Sequence, residues 1–272
     1  HFKIYVGNLH VSFFSKTENF SLFKVVSTHQ IGHIEFGSFD FQFEEPATRF
    51  NIDRRVERES ELKAKRLELG SPINGDGNEA HSGEGTQDQN IVGDVISAER
   101  GFLTDMGRFF DLFMERRLAQ DIFTVIEDAR LDFRIKSEYR GINSAYRRIQ
   151  GDALENRPEI QEMPLQEAMV EFLVRFSLNQ YQGLPVPTEW IDHAMVIAEV
   201  AKRLLHTDAT VEDTSEATIR IYDIIAEMPN MQMDEEDWSD MDLEEEEISD
   251  DQLEDLLEQF GEMNSSGDMG PD

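Results

Sequence analysis

Between about residues 95 and 228 the chain is a succession of helix-spaced apolar blocks separated by short breaks. This pattern limits the fold more than any other feature of the sequence. Helices are predicted near 98–116, 118–138, 142–155, 164–180, 188–205 and 214–228. Arg140-Gly141 marks a break, and the third helix stops before Pro158. Pro164 suits the first helical position of the fourth helix. Thr188 reads as the N-cap of the fifth. The sixth opens with a partial capping box, Thr214 to Ala217, in which Ala stands where Glu is preferred. The segment YQGLPVP (181–187) reads as a loop. Helices joined by short connections predict a mainly α fold, an antiparallel helical bundle.

The flanking segments read differently. Residues 1–20 are rich in aromatic and β-branched residues and predict strand or irregular structure. Asn19 is placed to cap a helix from Phe20 to Phe36, which Gly37 ends. In FGSFDFQF (36–43), Phe39, Phe41 and Phe43 alternate, which predicts a short strand. Residues 51–69 are charged and helix-prone, as a solvated helix would be, and 70–90 is a flexible Gly/Asn/Ser-rich loop. The expected organisation is an N-terminal segment (1–50) packing on the bundle, a charged helix and loop (51–94), a helical domain (95–230) and a disordered acidic tail (231–272). Within that tail, DDQLEDLLEQF (250–260) has Leu253, Leu256, Leu257 and Phe260 on one helical face. It is read as a solvated linker or as a segment that folds on a basic partner.

Charge and composition exclude several functions. The net charge is -32, and more than half of it lies in 234–272, where there are 18 Asp or Glu and no Lys or Arg. Nucleic-acid binding needs Lys and Arg against phosphate, so none is expected. No apolar run approaches the roughly 20 residues of a membrane span, and no membrane insertion is expected. The chain has no cysteine, which removes disulfides, thiolate metal sites and cysteine nucleophiles. A cytoplasmic location is expected. Residue 1 is His rather than Met, so the chain is expected to be a fragment or a processed form. No phosphate-binding Gly-rich loop or nucleophile elbow is present. Asp213-Thr-Ser-Glu-Ala reads as a helix N-terminus rather than a metal-dependent adhesion motif.

The candidate site begins at THQIGH (28–33). His29 and His33 are four apart and so share one helix face. That is the spacing of helical zinc sites, but Gln30 stands where a zinc hydrolase keeps its general base, and Gln cannot take a proton from water. A third ligand is sought in VIEDARLD (125–132), where Glu127 is the first choice and Asp128 the second. Glu127 and Arg130 are also spaced to pair along the helix. The spacing alone also fits two histidines that each only satisfy a hydrogen bond.

Taken in order, THQIGHIEFGSFDF (28–41), DIFTVIEDARLDFRIKSEYRGI (121–142), PLQEAMVEFLVRFSL (164–178) and the acidic run after them resemble one family. It is the region preceding the von Willebrand factor A domain in nitric oxide reductase activation proteins of the D type. The Rubisco-activating adaptor and the cobaltochelatase T subunit are relatives of that family. The resemblance covers about 20–45 and 95–230. It implies a non-enzymatic adaptor that couples a MoxR-type AAA+ ATPase to remodelling or metal-cofactor activation of a target metalloenzyme. It implies Mg²⁺ only in the A domain, which this sequence does not reach. It also implies that His29, His33 and Glu127 or Asp128 are the relic of a zincin-like zinc site. The alternative expectation is a zinc-binding protein of degenerate hydrolase type.

Overall fold

The computed structural model describes residues 15–70, 104–179, 182–243 and 248–266. The expected strand or irregular region before residue 15, most of the 70–90 loop and the beginning of the 98–116 helix lie outside these residues. What is described is mainly helical, with one small two-stranded sheet. In chain order the elements are α1 (Lys16–Glu35), α2 (Arg54–Gly70), α3 (Asp105–Phe110), α4 (Arg116–Glu138), α5 (Asn143–Glu155) and α6 (Leu165–Asn179). They continue with β1 (Leu184–Pro187), α7 (Ile191–Lys202), α8 (Val211–Ile225), β2 (Trp238–Met241) and α9 (Asp250–Ser266).

Helix α8 lies at the centre, packed against α4, α7 and α2. Its residues are buried from Val211 through Tyr222, polar ones included. Its buried hydroxyls bond back onto the helix's own backbone: Ser215 Oγ donates to the Glu212 carbonyl at 2.6 Å and Thr218 Oγ1 to the Thr214 carbonyl at 2.7 Å. Around α8 the core gathers Ile122 and Ile126 of α4, Met169, Phe172 and Leu173 of α6, and Ile197 and Val200 of α7. Each large apolar side chain buried this way contributes about 1.5–3 kcal/mol relative to exposure. A second, smaller cluster of Val25, Ile135, Ile142 and Tyr146 holds α1 against α4 and α5.

The helix starts differ from the sequence reading where local hydrogen bonds compete. Helix α1 begins at Lys16 because Ser15 Oγ caps it, accepting from the Glu18 N–H at 3.1 Å, and Asn19 lies inside the helix. Helix α8 begins one turn before Thr214. Thr210 is its N-cap, and Asp213 returns a bond to the Thr210 N–H at 2.7 Å, completing a capping box. Thr188 caps nothing. It enters a short 3-10 turn before α7, and its hydroxyl donates to the Asp237 carbonyl. Pro164 precedes α6, and its carbonyl accepts the first bond of that helix from Ala168. Residues 36–43 form turns, not a strand, with Phe41 and Phe43 buried in the main core.

The charged and acidic segments pack more than their composition suggests. Arg55 of α2 is fully buried, and the buried Glu216 carboxylate accepts the backbone N–H groups of Arg54 and Arg55 at 3.0 and 3.2 Å. An anion at a helix N-terminus is stabilised there by the unsatisfied N–H groups and the helix dipole. The expected loop at 181–187 contributes β1. It pairs antiparallel with β2 from the acidic segment, Leu184 opposite Met241 and Pro187 opposite Trp238. Where a disordered tail was expected, α9 buries Leu253 and Leu257 against the body. Glu254 of α9 reaches Arg54 and Arg220, each at 2.7 Å. The arginines that attract the tail lie far from it in sequence, which is why composition alone missed the packing.

Candidate metal centre

Helix α1 meets α4 at a close crossing. A Cβ on Gly32 would lie 2.7 Å from Ile135 Cδ1, so glycine lets the two helices approach. His29 and His33 flank Gly32 on this inner face. The exposed Gln30 lies outside it. Phe36 then ends α1, and Gly37 takes φ +74°. The Ser38 N–H returns to the His33 carbonyl at 2.9 Å, the closing bond of a Schellman turn. That closure sets the Ser38 hydroxyl beside the His33 ring.

On α4, Asp128 and Asp132 are one turn apart and face His33 and His29. His29 Nδ1 lies 2.8 Å from Asp132 Oδ1. Asp132 is held in turn by Gln150 of α5, whose amide donates to Oδ2 at 2.8 Å. His33 Nδ1 lies 3.1 Å from Ser38 Oγ. Ser38 spends its own proton on Glu127 Oε1 at 2.5 Å, so it accepts from His33 Nδ1–H. Both imidazoles therefore carry the Nδ1 proton toward a fixed partner and turn Nε2 toward Asp128. The remaining separations are 3.4 Å from His29 Nε2 and 3.6 Å from His33 Nε2, both to Asp128 Oδ1.

Those separations are long for hydrogen bonds. They match donor pairs around a tetrahedral metal, which lie about 3.3–3.4 Å apart for Zn–N and Zn–O bonds of about 2.0–2.2 Å. The three donor atoms all lie within 4.8 Å of one another. Histidine ligands held through the other ring nitrogen are the usual arrangement in metal sites. The donor set therefore fits a divalent metal of the zinc type.

Without metal the cluster closes on a proton. Burial alone lowers the His29 pKa, but hydrogen bonds and charge from Asp128 and Asp132 outweigh it and raise the pKa to about 10. Burial and the nearby His29 charge push His33 the other way, toward the neutral form a ligand needs.

The structure brings His29, His33 and Asp128 together, and Asp128 was the second-choice carboxylate. Glu127, the first choice, is not one of the three. One residue along a helix is a large rotation, and it turns Glu127 toward α8. There Arg130 grips its carboxylate at 2.6 and 2.8 Å, and Thr214 donates to it at 2.6 Å. Arg130 also donates to the carbonyls of Phe36 and Ala209. Glu127 and Arg130 thus form the pair that their spacing allowed, and join the end of α1, α4 and the start of α8. Asp132, Ser38 and Gln150 are supporting residues that the sequence pattern does not single out. The Asp128–Asp132 repeat, one turn like His29–His33, was the available signal for Asp132.

Compared with protein-family models, with curated proteins and with solved structures, the chain matches none of them. Among the described residues, no helix is long and apolar enough to cross a membrane.

Proposed function

We propose that this chain is a non-enzymatic adaptor, an antiparallel helical bundle whose first helix is fastened by zinc on His29, His33 and Asp128. The observation that carries the metal is the convergence of two Nε2 atoms on Asp128 Oδ1, each ring held from behind by a partner on Nδ1. Bound there, the metal supplies a cross-link between α1 and α4. The chain's own residues orient the donors: Asp132 and Ser38 hold the imidazoles, and Gln150 and Glu127 hold those two in place.

Hydrolysis has little support. Gln30 cannot act as a base. Of the two carboxylates beside the donors, Glu127 is held by Arg130 and two hydroxyl donors, and Asp132 is held by His29 and Gln150. The zincin-like alternative, a degenerate zinc hydrolase, draws on the same two histidines and stands as a zinc-binding protein without that chemistry.

The adaptor reading takes its partners from the family resemblance: a MoxR-type AAA+ ATPase and a target metalloenzyme, in the cytoplasm. The large negative charge agrees with protein partners rather than nucleic acid. The test is to mix the purified chain with a MoxR-type ATPase and read complex formation by sedimentation and ATP turnover by phosphate release. Association with altered turnover supports the adaptor. No association and unchanged turnover contradict it.

A further inference from the structure

Beside the candidate metal centre, between the turn after α1 and helices α3 and α4, lies a cleft of about 490 Å³. This is the size range of small-ligand sites. Its walls are Phe39, Met106, Phe110 and Phe123, and its polar end is formed in part by His33 and Asp128. Phe110 and Phe123 pack edge to face with ring centroids 5.5 Å apart, and Phe39 lies 6.0 Å from the His33 ring at the mouth. Two of the three proposed metal donors thus open directly onto an aromatic-walled space.

Charge selects what fits. A divalent metal with Asp128 and two neutral imidazoles carries a net +1 within its coordination sphere, and the Asp132 carboxylate behind the His29 ring offsets part of it from outside. The neighbouring Glu127 adds no free negative charge, because Arg130 pairs with both of its oxygens. Three protein donors leave a tetrahedral metal one open position. A single anionic oxygen donor completes the coordination, and the walls require an apolar body behind it. We infer that this cleft binds an apolar carboxylate, its anion on the metal and its hydrocarbon part between Phe39, Phe110 and Phe123. This rests on the metal reading above. The carboxylate has two sources, a free aryl or alkyl acid or the C-terminus of a peptide ending in an apolar residue.

The experiment is calorimetric titration of the full chain, zinc-loaded and zinc-free, with zinc content measured on the same samples. The probes are 3-phenylpropionate, acetate, and a peptide ending in Phe with either a free or an amidated C-terminus. The expected result is binding of 3-phenylpropionate to the zinc-loaded chain, at least tenfold tighter than acetate and lost without zinc. Phe39→Ala removes a wall residue that is largely exposed in the free chain and that the ligand would cover, and is expected to weaken binding about tenfold; Phe123→Ala checks the inner wall. Tighter binding of the free-acid peptide than of 3-phenylpropionate identifies a protein C-terminus as the source, and the reverse order identifies a small acid. Zinc bound at one equivalent with equal affinity for acetate and 3-phenylpropionate, or with no effect of Phe39→Ala and Phe123→Ala, overturns the inference and leaves the metal site standing. No zinc in the chain overturns both.

Discussion

His29 Nδ1 and Asp132 Oδ1 lie 2.8 Å apart, and this contact fixes which nitrogen of His29 faces Asp128. Asp132 binds no metal in this arrangement. Its removal should still weaken zinc about 10–100-fold, the usual effect of losing a ligand's supporting carboxylate. Competition of Asp132→Ala against a chromophoric chelator checks this. Unchanged affinity would mean that the ring is held by packing alone.

Gly32 governs how closely α1 approaches α4. Gly32→Val places side-chain carbon where Ile135 already sits. Overpacking of this kind costs about 1–3 kcal/mol. The variant should lose stability in urea unfolding and also bind zinc more weakly, because His29 and His33 are displaced together. A stable variant with intact zinc affinity would show that the crossing yields without disturbing the donors.

The acidic helix α9 is tied down through Glu254, which pairs with Arg54 and with the fully buried Arg220. Arg220 keeps its second partner, Glu216, at 2.7 Å. Glu254→Ala should therefore cost about 1.5–3 kcal/mol, the range for hydrogen bonds to charged groups. Hydrogen exchange should rise across Asp250–Ser266 before it rises in α8. Equal protection of α9 in the variant would assign its docking to Leu253 and Leu257 alone.

Glu59 and Arg108 form a two-pronged pair at 2.7 and 2.7 Å. The Arg108 hydrogen bonds outweigh burial and hold the Glu59 pKa near 2, down from 4.5. A depressed carboxylate stabilises the fold fully above its unfolded value and loses that contribution as pH falls from about 4.5 through 2. Glu59→Gln should cost about 1 kcal/mol at pH 7, given partial exposure of the pair. The cost should shrink toward pH 2. Chemical denaturation midpoints at both pH values read this directly, and a constant difference would contradict the pairing.

The helical character and most helix positions were legible from apolar spacing. Arg140-Gly141 became a short 3-10 break, and the 142–155 helix is observed as Asn143–Glu155. Caps were less legible, because Thr210-Val-Glu-Asp213 competes with Thr214 and only the Asp213 side chain decides between them. The docking of the acidic segment was hidden, since Glu254 finds Arg220 thirty-four residues earlier in the chain. At the site, the histidine pair and the EDARLD segment were visible. The choice between Glu127 and Asp128 was not, because it depends on which side of α4 faces α1, and Ile135 packing on Gly32 sets that rotation.

The most direct test of the metal centre is the zinc content of the purified chain beside His29→Ala, Asp128→Asn and Glu127→Gln. One equivalent of zinc is expected in the unaltered chain and in Glu127→Gln, with loss in the other two. No zinc in the unaltered chain after loading, or retention in Asp128→Asn with loss in Glu127→Gln, would contradict the assignment.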